Sequence, residues 1–126
     1  MSKEIINTPD APAPIGPYNQ AVKAGNMLFI SGQIALDPAS GELVTDDLAK
    51  ETNLVMKNLK AILQQAGAGF EAVVKTNIFL SDMSLFAQVN EIYGSYFTSD
   101  FPARETVAVK GLPKGVNVEI SMIAYL

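Results

Sequence analysis

The chain has 126 residues, with 13 acidic and 9 basic side chains, a formal net charge of −4, and neither cysteine nor histidine. This length fits one core of ordinary size, so the chain is expected to form a single domain. The acidic balance and scattered basic residues disfavour nucleic-acid binding. The missing residue types exclude disulfides, thiolate nucleophiles, Ser-His-Asp triads and ordinary zinc sites.

Membrane association is also not expected. The sequence has no apolar run near the roughly 20 residues that a membrane span needs. Its start, "MSKEIINTPD", lacks the basic-then-apolar pattern of a signal peptide. A soluble, cytoplasmic protein is therefore predicted.

An extended arm and a hairpin are the first elements predicted. The arm is "NTPDAPAPIGPYNQ", which carries four of the seven prolines and has no amphipathic period. In "AVKAGNMLFISGQIAL", two apolar runs flank Gly25 and Asn26, which is typical of a β-hairpin.

Two helices and three more strands follow. A first amphipathic helix is predicted from an N-cap at Thr45 or Asp46 to a stop at Gly67. Its apolar stripe is Leu48, Thr52, Val55, Leu59, Ile62, Leu63 and Ala66. "AVVKTNIFLSD" predicts a strand, 84–97 a second helix, and 105–110 and 116–125 two further strands. The order ββαβαββ predicts an α+β sandwich with a mixed sheet and both helices on one face.

The strands suggest that this sheet has a second covered face. "MLFI", "NIFL" and "EISMIAYL" are apolar at neighbouring positions and so offer apolar groups to both faces. Two helices cover one face, so the simplest cover for the other is another copy of the chain. The alternative is that sheet twist and the proline-rich arm hide much of it. A closed homo-oligomer is predicted.

The stretch "FPARETVAV" holds the single arginine of a chain with eight lysines. Arginine presents a planar fork that binds a carboxylate or phosphate with two parallel hydrogen bonds. Taken alone, however, a lone arginine is more often a surface ion-pair residue. Strand alternation predicts Arg104 and Thr106 on one face and Glu105 on the other.

Several polar residues elsewhere could complete a site. Glu119 lies within the apolar run of the last strand, where it could equally be an edge-strand charge that blocks aggregation. Ser31 and Gln33 are predicted on one hairpin face, although Ser31 before Gly32 also suits a bulge. Tyr18 could be a packing residue, and Asn90 could be a solvated helix position.

Four short motifs together resemble the RidA (YjgF/YER057c/UK114) family. They are "IGPY" at 15–18, "SGQ" at 31–33, "PAR" at 102–104 and "VEI" at 118–120. The resemblance spans nearly the whole chain and implies one RidA-like domain over residues 1–126. It also implies a fold similar to trimeric chorismate mutase and a homotrimer with three clefts between subunits.

The same resemblance implies a deaminase of reactive enamines and imines. Its substrates would be 2-aminoacrylate, 2-aminocrotonate and their tautomers 2-iminopropanoate and 2-iminobutanoate, which PLP-dependent serine and threonine dehydratases release. Arg104 would bind the substrate carboxylate and Glu119 would hold the attacking water, both as catalytic residues. The implied substrate-binding residues are Tyr18, Ser31, Asn90, Arg104 and Thr106.

Imine hydrolysis suits this composition because the protonated C=N carbon is already electrophilic. We expect no cofactor and no metal. One departure from the family is Glu105, where a small residue is usual, and a carboxylate beside Arg104 would compete with the substrate. Two alternatives stay open: a non-catalytic trimer that binds small 2-oxo acids, and a ribonuclease or translation inhibitor, which the acidic balance disfavours.

Overall fold

The computed structural model describes residues 2–126, which form one six-stranded sheet and two α-helices. The strands are β1 (Glu4–Ile6), β2 (Ala21–Ala24), β3 (Met27–Gln33), β4 (Val73–Leu80), β5 (Ala103–Ala108) and β6 (Val118–Tyr125), and the helices are α1 (Leu48–Gln65) and α2 (Phe86–Gly94). The spatial order is β1-β2-β3-β6-β4-β5. The β4–β5 pair is parallel and the others are antiparallel. The predicted mixed sheet is thus confirmed, with β1 added before the expected hairpin.

Helix α1 confirms the predicted apolar stripe but begins later than expected. Its N-cap is Asp47, whose side chain accepts hydrogen bonds from the backbone N–H groups of Ala49 and Lys50, at 2.8 and 3.1 Å. The N-cap expected at Thr45 or Asp46 is therefore wrong, because three neighbouring residues could all cap and sequence does not choose among them. Gly67 follows the helix with a φ of 80°, as a C-terminal stop requires.

Helix α2 is shorter than the predicted segment 84–97. Asp82 accepts a hydrogen bond from the Ser84 N–H, which lowers the pKa of its carboxyl and starts a 3-10 turn over Met83–Leu85. Beyond Gly94 the chain tightens into turns of the same kind, and the Phe97 N–H bonds to the Gly94 carbonyl. Apolar residues continue at helical spacing through both turns, so periodicity alone overstates the length of the helix.

Strand β5 begins at Ala103, two residues before the predicted start at Glu105. Strand β6 begins at Val118, two residues after the predicted start at Val116. Prolines and turn residues precede both strands, so the sequence marks their vicinity better than their first residue.

The core lies between the helices and one face of the sheet. It buries side chains from α1, α2 and all the central strands, including Val55, Leu59, Ile62, Val89, Leu28, Ile78, Ile120 and Met122. Alternate residues on β6 are buried, and the residues between them are half-buried or exposed. Both helices therefore pack on one face, as expected.

The opposite face carries no helix, and we call it the open face. Register places Ile5, Val22, Phe29 and Ile123 in one row across it, and Phe79 lies beside Val107 in another. Its large apolar side chains include Ile5, Phe29, Val107 and Tyr125, each more than 40% exposed. Such contiguous apolar exposure marks an interaction surface. Within residues 2–126, no helix combines the length and apolar character that a membrane crossing requires.

Candidate active site

Arg104 is held against helix α2 at the edge of the sheet. It pairs in register with Thr76 of β4, so its side chain leaves the sheet on the helix-covered face. One guanidinium nitrogen, Nη1, donates a 2.6 Å hydrogen bond to Oδ1 of Asn90. Within residues 2–126 Arg104 forms no ion pair, so the reading of this arginine as a surface ion-pair residue finds no support.

Two aromatic rings contact the guanidinium group. The Arg104 Cζ lies 5.6 Å from the ring centroid of Phe86 and 5.4 Å from that of Tyr93, within the range of cation–π contacts. Tyr93 is itself anchored, because it is 3% exposed and its hydroxyl donates a 2.9 Å bond to Oγ1 of Thr76. Burial raises the Tyr93 pKa, while the Thr76 bond and the Arg104 charge oppose that shift.

Sequence reasoning missed the role of these rings. Phe86, Asn90 and Tyr93 stand at spacings of four and three along α2. That spacing places three residues on one side of a helix. A polar Asn between two aromatic residues on the side facing Arg104 was the available signal.

The guanidinium group borders a cleft of about 420 Å³. Its lining is Asn90, Tyr93, Gly94, Phe101, Pro102 and Arg104. This volume accommodates a small organic acid, and apart from the arginine and the amide its lining consists of two aromatic residues, a glycine and a proline. The cleft can therefore take a ligand with one anionic end and a small apolar remainder.

Thr106 lies two residues along β5 on the same face as Arg104. Its Oγ1 is buried and has no hydrogen-bond partner, and it is the one such side-chain atom among the described residues. A buried polar atom left unsatisfied costs about 1–3 kcal/mol. The hydroxyl therefore lacks a partner among the described residues, and Thr106 is not one of the residues that line the cleft beside Arg104.

Glu105 points away from Arg104, as alternation predicts. Its carboxylate lies 3.3 Å from Nζ of Lys75 on the open face, and its side chain is 71% exposed. This arrangement removes the concern that Glu105 competes for the guanidinium group within the same chain.

Glu119 lies on the open face of β6, between the buried residues Val118 and Ile120 and in register with Phe79. Its carboxylate rests against Gly32, where an added β-carbon would lie 2.6 Å from Oε2. Partial burial raises the pKa of the Glu119 carboxyl above its usual value of 4.5. Gly32 thus makes room for a carboxylate with a perturbed pKa.

A β-bulge separates Ser31 from Gln33, and this corrects the expectation that they share a face. Ile30 pairs with Met122 and Gln33 with Ile120, so β3 has one extra residue in this interval. Gln33 consequently turns to the buried side and is 5% exposed. Ser31 stays on the open face, where it and Phe29 border the same cleft.

Two backbone carbonyls of the arm anchor Ser31. Its Oγ donates a 2.6 Å bond to the Asn19 carbonyl, and its N–H donates a 2.9 Å bond to the Gln20 carbonyl. Tyr18 precedes this junction, is 47% exposed, and its hydroxyl lies 3.5 Å from the Ile15 nitrogen. Tyr18, Ser31 and the open-face residues Asn77 and Ser121 border a second cleft of about 490 Å³.

The candidate residues thus fall into two groups on opposite faces of the sheet. The arginine group is Asn90, Arg104 and Thr106, and the glutamate group is Tyr18, Ser31 and Glu119. Within one chain the sheet separates them, because Arg104 shares its face with Thr76 and Met122 whereas Glu119 shares its face with Phe79. A site that uses both groups therefore needs two copies of the chain.

Known proteins match this chain over nearly its whole length. The family described as Endoribonuclease L-PSP matches residues 8–126. A human protein named 2-iminobutanoate/2-iminopropanoate deaminase is 48% identical over 124 residues, which cover 98% of this chain and 90% of the human one. A solved structure of the conserved Rid protein family from Yersinia pestis, of unknown function, has a TM-score of 0.97 and 47% identity, covering 99% and 100% of the two chains. Escherichia coli TdcF with bound serine has a TM-score of 0.93 and 40% identity, covering 98% of each chain.

Proposed function

Because the chain belongs to the Endoribonuclease L-PSP family, which includes the Rid proteins, we propose that it hydrolyses small 2-imino acids to 2-oxo acids and ammonia. Family membership confirms the RidA resemblance of the four motifs. The proposed substrates are 2-iminopropanoate and 2-iminobutanoate, the acids named for the human relative. Serine and threonine dehydratases would supply them in the cytoplasm.

One observation carries the proposal: the single arginine is held by an amide and two aromatic rings, without an ion-pair partner in residues 2–126. A guanidinium group fixed in this way is preorganised for a bidentate carboxylate. Thr106, which lies two residues along the same strand and has an unsatisfied hydroxyl, is proposed as a further donor. Bound serine in the TdcF structure is a small amino acid of the same carboxylate class.

The proposed reaction needs a binding site for the substrate carboxylate and a positioned water. Arg104 and Thr106 bind the carboxylate and so place C2 of the imine. A water held by Glu119 attacks C2, its proton passes to the carboxylate, and the C=N π electrons move to nitrogen. Glu119 then delivers that proton to the nitrogen, which gives the neutral carbinolamine. As its C–N bond breaks, the hydroxyl proton passes through Glu119 to the nitrogen, so that ammonia leaves and the 2-oxo group forms.

The two groups meet if the open face packs on neighbouring copies in a homotrimer. The open face offers exposed apolar side chains on several strands, and Glu119 lies among them. The arginine group stands at the sheet edge formed by β5. Each cleft would then combine the arginine group of one subunit with the glutamate group of the next.

Phe29→Lys tests this assembly. The variant is expected to sediment as a monomer and to lose imine hydrolysis, because a lysine would be desolvated at the centre of the proposed interface. Sedimentation velocity and a coupled assay measure the two effects. Met83→Lys is the matched control, since Met83 is about as exposed as Phe29 but lies before α2. A trimer that survives Phe29→Lys would contradict the proposed packing.

The activity itself is tested by coupling the protein to a threonine dehydratase. The decay of 2-iminobutanoate is followed directly, and the wild-type chain is expected to accelerate it over buffer. No acceleration, combined with tight binding of 2-oxobutanoate, would favour the alternative of a non-catalytic binder. The formal net charge of −4 disfavours the ribonuclease that the family description names.

Glu119→Gln separates an enzyme from a binder. Turnover is expected to fall roughly 100-fold, a usual loss for a missing general base. Calorimetric binding of 2-oxobutanoate is expected to persist, because Arg104 and Thr106 remain. Equal loss of both would instead assign Glu119 to the architecture.

The raised pKa of Glu119 adds a pH signature with a defined sign. A raised folded-state pKa means that this carboxyl stabilises the fold most below the unfolded value of 4.5, and the contribution is lost as pH rises through the folded pKa. Glu119→Gln should therefore melt slightly higher than wild type at neutral pH, and the gain should vanish below 4.5. Wild-type turnover should fall on the acid side with a midpoint above 4.5.

A further inference from the structure

The arm that carries Tyr18 is held by one buried amide. Gln20 is 2% exposed, and its Oε1 accepts a 2.7 Å bond from the Thr8 N–H. Its Nε2 contacts the carbonyls of Thr8, Ala11 and Pro12 at 3.0, 3.2 and 2.9 Å. Two N–H groups thus serve three carbonyls. Prolines supply no N–H, so a connection with four of them depends on a side-chain donor.

The same residue also joins the arm to the glutamate group. The Gln20 carbonyl accepts from the Ser31 N–H, and the neighbouring Asn19 carbonyl accepts from the Ser31 hydroxyl. The Gln20 side chain therefore fixes one side of the arm, and its backbone fixes the bulge that carries Ser31. Movement of this amide would displace both.

Tyr18 has little else to orient it. Its ring is 47% exposed, and the contact of its hydroxyl with the Ile15 nitrogen is 3.5 Å, at the limit of a hydrogen bond. Its backbone N–H is bonded to the Gly16 carbonyl at 2.8 Å, which shapes the local turn without tying that turn to the sheet. The link to the sheet runs through the next two residues, Asn19 and Gln20.

We propose that Gln20 is a positioning residue for the substrate cleft, because its buried side-chain amide holds the arm that presents Tyr18 and its backbone carbonyl holds the bulge that presents Ser31. The inference rests on the proposed function, since the cleft matters for imines only if the protein hydrolyses them. Gln20 itself touches no substrate. Its effect is carried by the placement of two cleft residues on the side opposite Arg104.

Gln20→Glu tests the role while keeping the side-chain shape. It retains an acceptor for Thr8 but turns the donor into an oxygen that faces three carbonyls. The dissociation constant of 2-oxobutanoate and the KM for 2-iminobutanoate are expected to rise roughly tenfold, since a misplacement of about 1 Å can cost more than that. The effect on kcat should be smaller, because Arg104 and Glu119 stay in place. Chymotryptic cleavage after Tyr18 should become faster.

Asn58→Asp is the matched control. Asn58 is 1% exposed, and its Nδ2 donates to the carbonyls of Ile34 and Leu36, both at 3.1 Å. The change makes the same donor-to-acceptor swap in a segment that contributes no candidate site residue. It is expected to lower the melting temperature without changing KM or cleavage after Tyr18. Gln20→Met, which removes the donor without adding charge, serves if Gln20→Glu does not fold.

The results distinguish failure of the Gln20 positioning role from failure of the proposed deaminase function. If both Gln20 variants match Asn58→Asp in KM and in 2-oxobutanoate binding, the positioning role is wrong while the deaminase proposal stands. Faster cleavage of the arm with unchanged KM would overturn the role equally. If the wild-type chain neither hydrolyses 2-iminobutanoate nor binds 2-oxobutanoate, the proposed function fails, and the role of Gln20 in that function fails with it.

Discussion

Arg104→Lys is expected to lower kcat/KM for 2-iminobutanoate roughly 100-fold or more, because lysine keeps the charge but loses the planar fork. An ammonium group can bond to Asn90 or to the substrate, but it cannot hold a carboxylate with two parallel bonds while contacting the rings of Phe86 and Tyr93. Dehydratase-coupled kinetics measure the loss. Sedimentation velocity should give the same species as the wild type.

Glu105→Gln is the matched control for this substitution. It changes the neighbouring residue on the same strand, removes the Lys75 ion pair and leaves the helix-covered face untouched. An exposed ion pair of this kind contributes little stability, so both folding and activity should stay near wild type. Near-normal turnover in Arg104→Lys would contradict the proposed grip on the carboxylate.

Glu51→Ala is expected to cause the largest loss of stability, about 3 kcal/mol or more in the free energy of unfolding. The Glu51 carboxylate is fully buried in the first turn of α1. It accepts bonds from the Asn117 N–H and the Asn117 amide, both at 2.8 Å, and from the Val118 N–H at 3.2 Å. Alanine leaves these buried donors unsatisfied and disconnects α1 from the start of β6.

Chemical denaturation measures this loss, and the midpoint should move to lower denaturant with little change in slope. Glu42→Ala removes an exposed glutamate in the loop before α1 and should leave the midpoint nearly unchanged. Glu51→Gln keeps one acceptor oxygen and should fall between the two. A midpoint for Glu51→Ala close to that of Glu42→Ala would refute the proposal that Glu51 stabilises the fold by bonding α1 to the start of β6.

Local sequence patterns predicted those helices and strands whose residue spacing follows from burial of a single side. The spacing of Val55, Leu59 and Ile62 was sufficient for α1, because burial of one helix side requires it. Strand alternation correctly separated Arg104 from Glu105. The four motifs added the family, which composition and periodicity alone do not give.

The missed features depend on contacts that are distant in sequence. The sequence left a bulge at Ser31 and Gly32 open as an alternative, but only the pairing with β6 selects it, so alternation could not decide the face of Gln33. Glu51 looks like an ordinary first-turn acid until β6 is placed against it. The cation–π contacts of Phe86 and Tyr93 with Arg104 likewise require α2 and β5 to be packed together.

The division of the candidate residues between two sheet faces has a genetic consequence under the proposed trimer. A subunit with substitutions at both Arg104 and Glu119 would inactivate the two clefts that it shares with its neighbours. It would therefore act as a dominant negative when it assembles with wild-type subunits. A subunit that lacks only Arg104 and a subunit that lacks only Glu119 would instead complement each other, because one cleft of a mixed trimer would combine the intact Arg104 of the second with the intact Glu119 of the first. Alleles with a single defect at either residue would therefore show intragenic complementation, whereas an allele with both defects would be dominant negative.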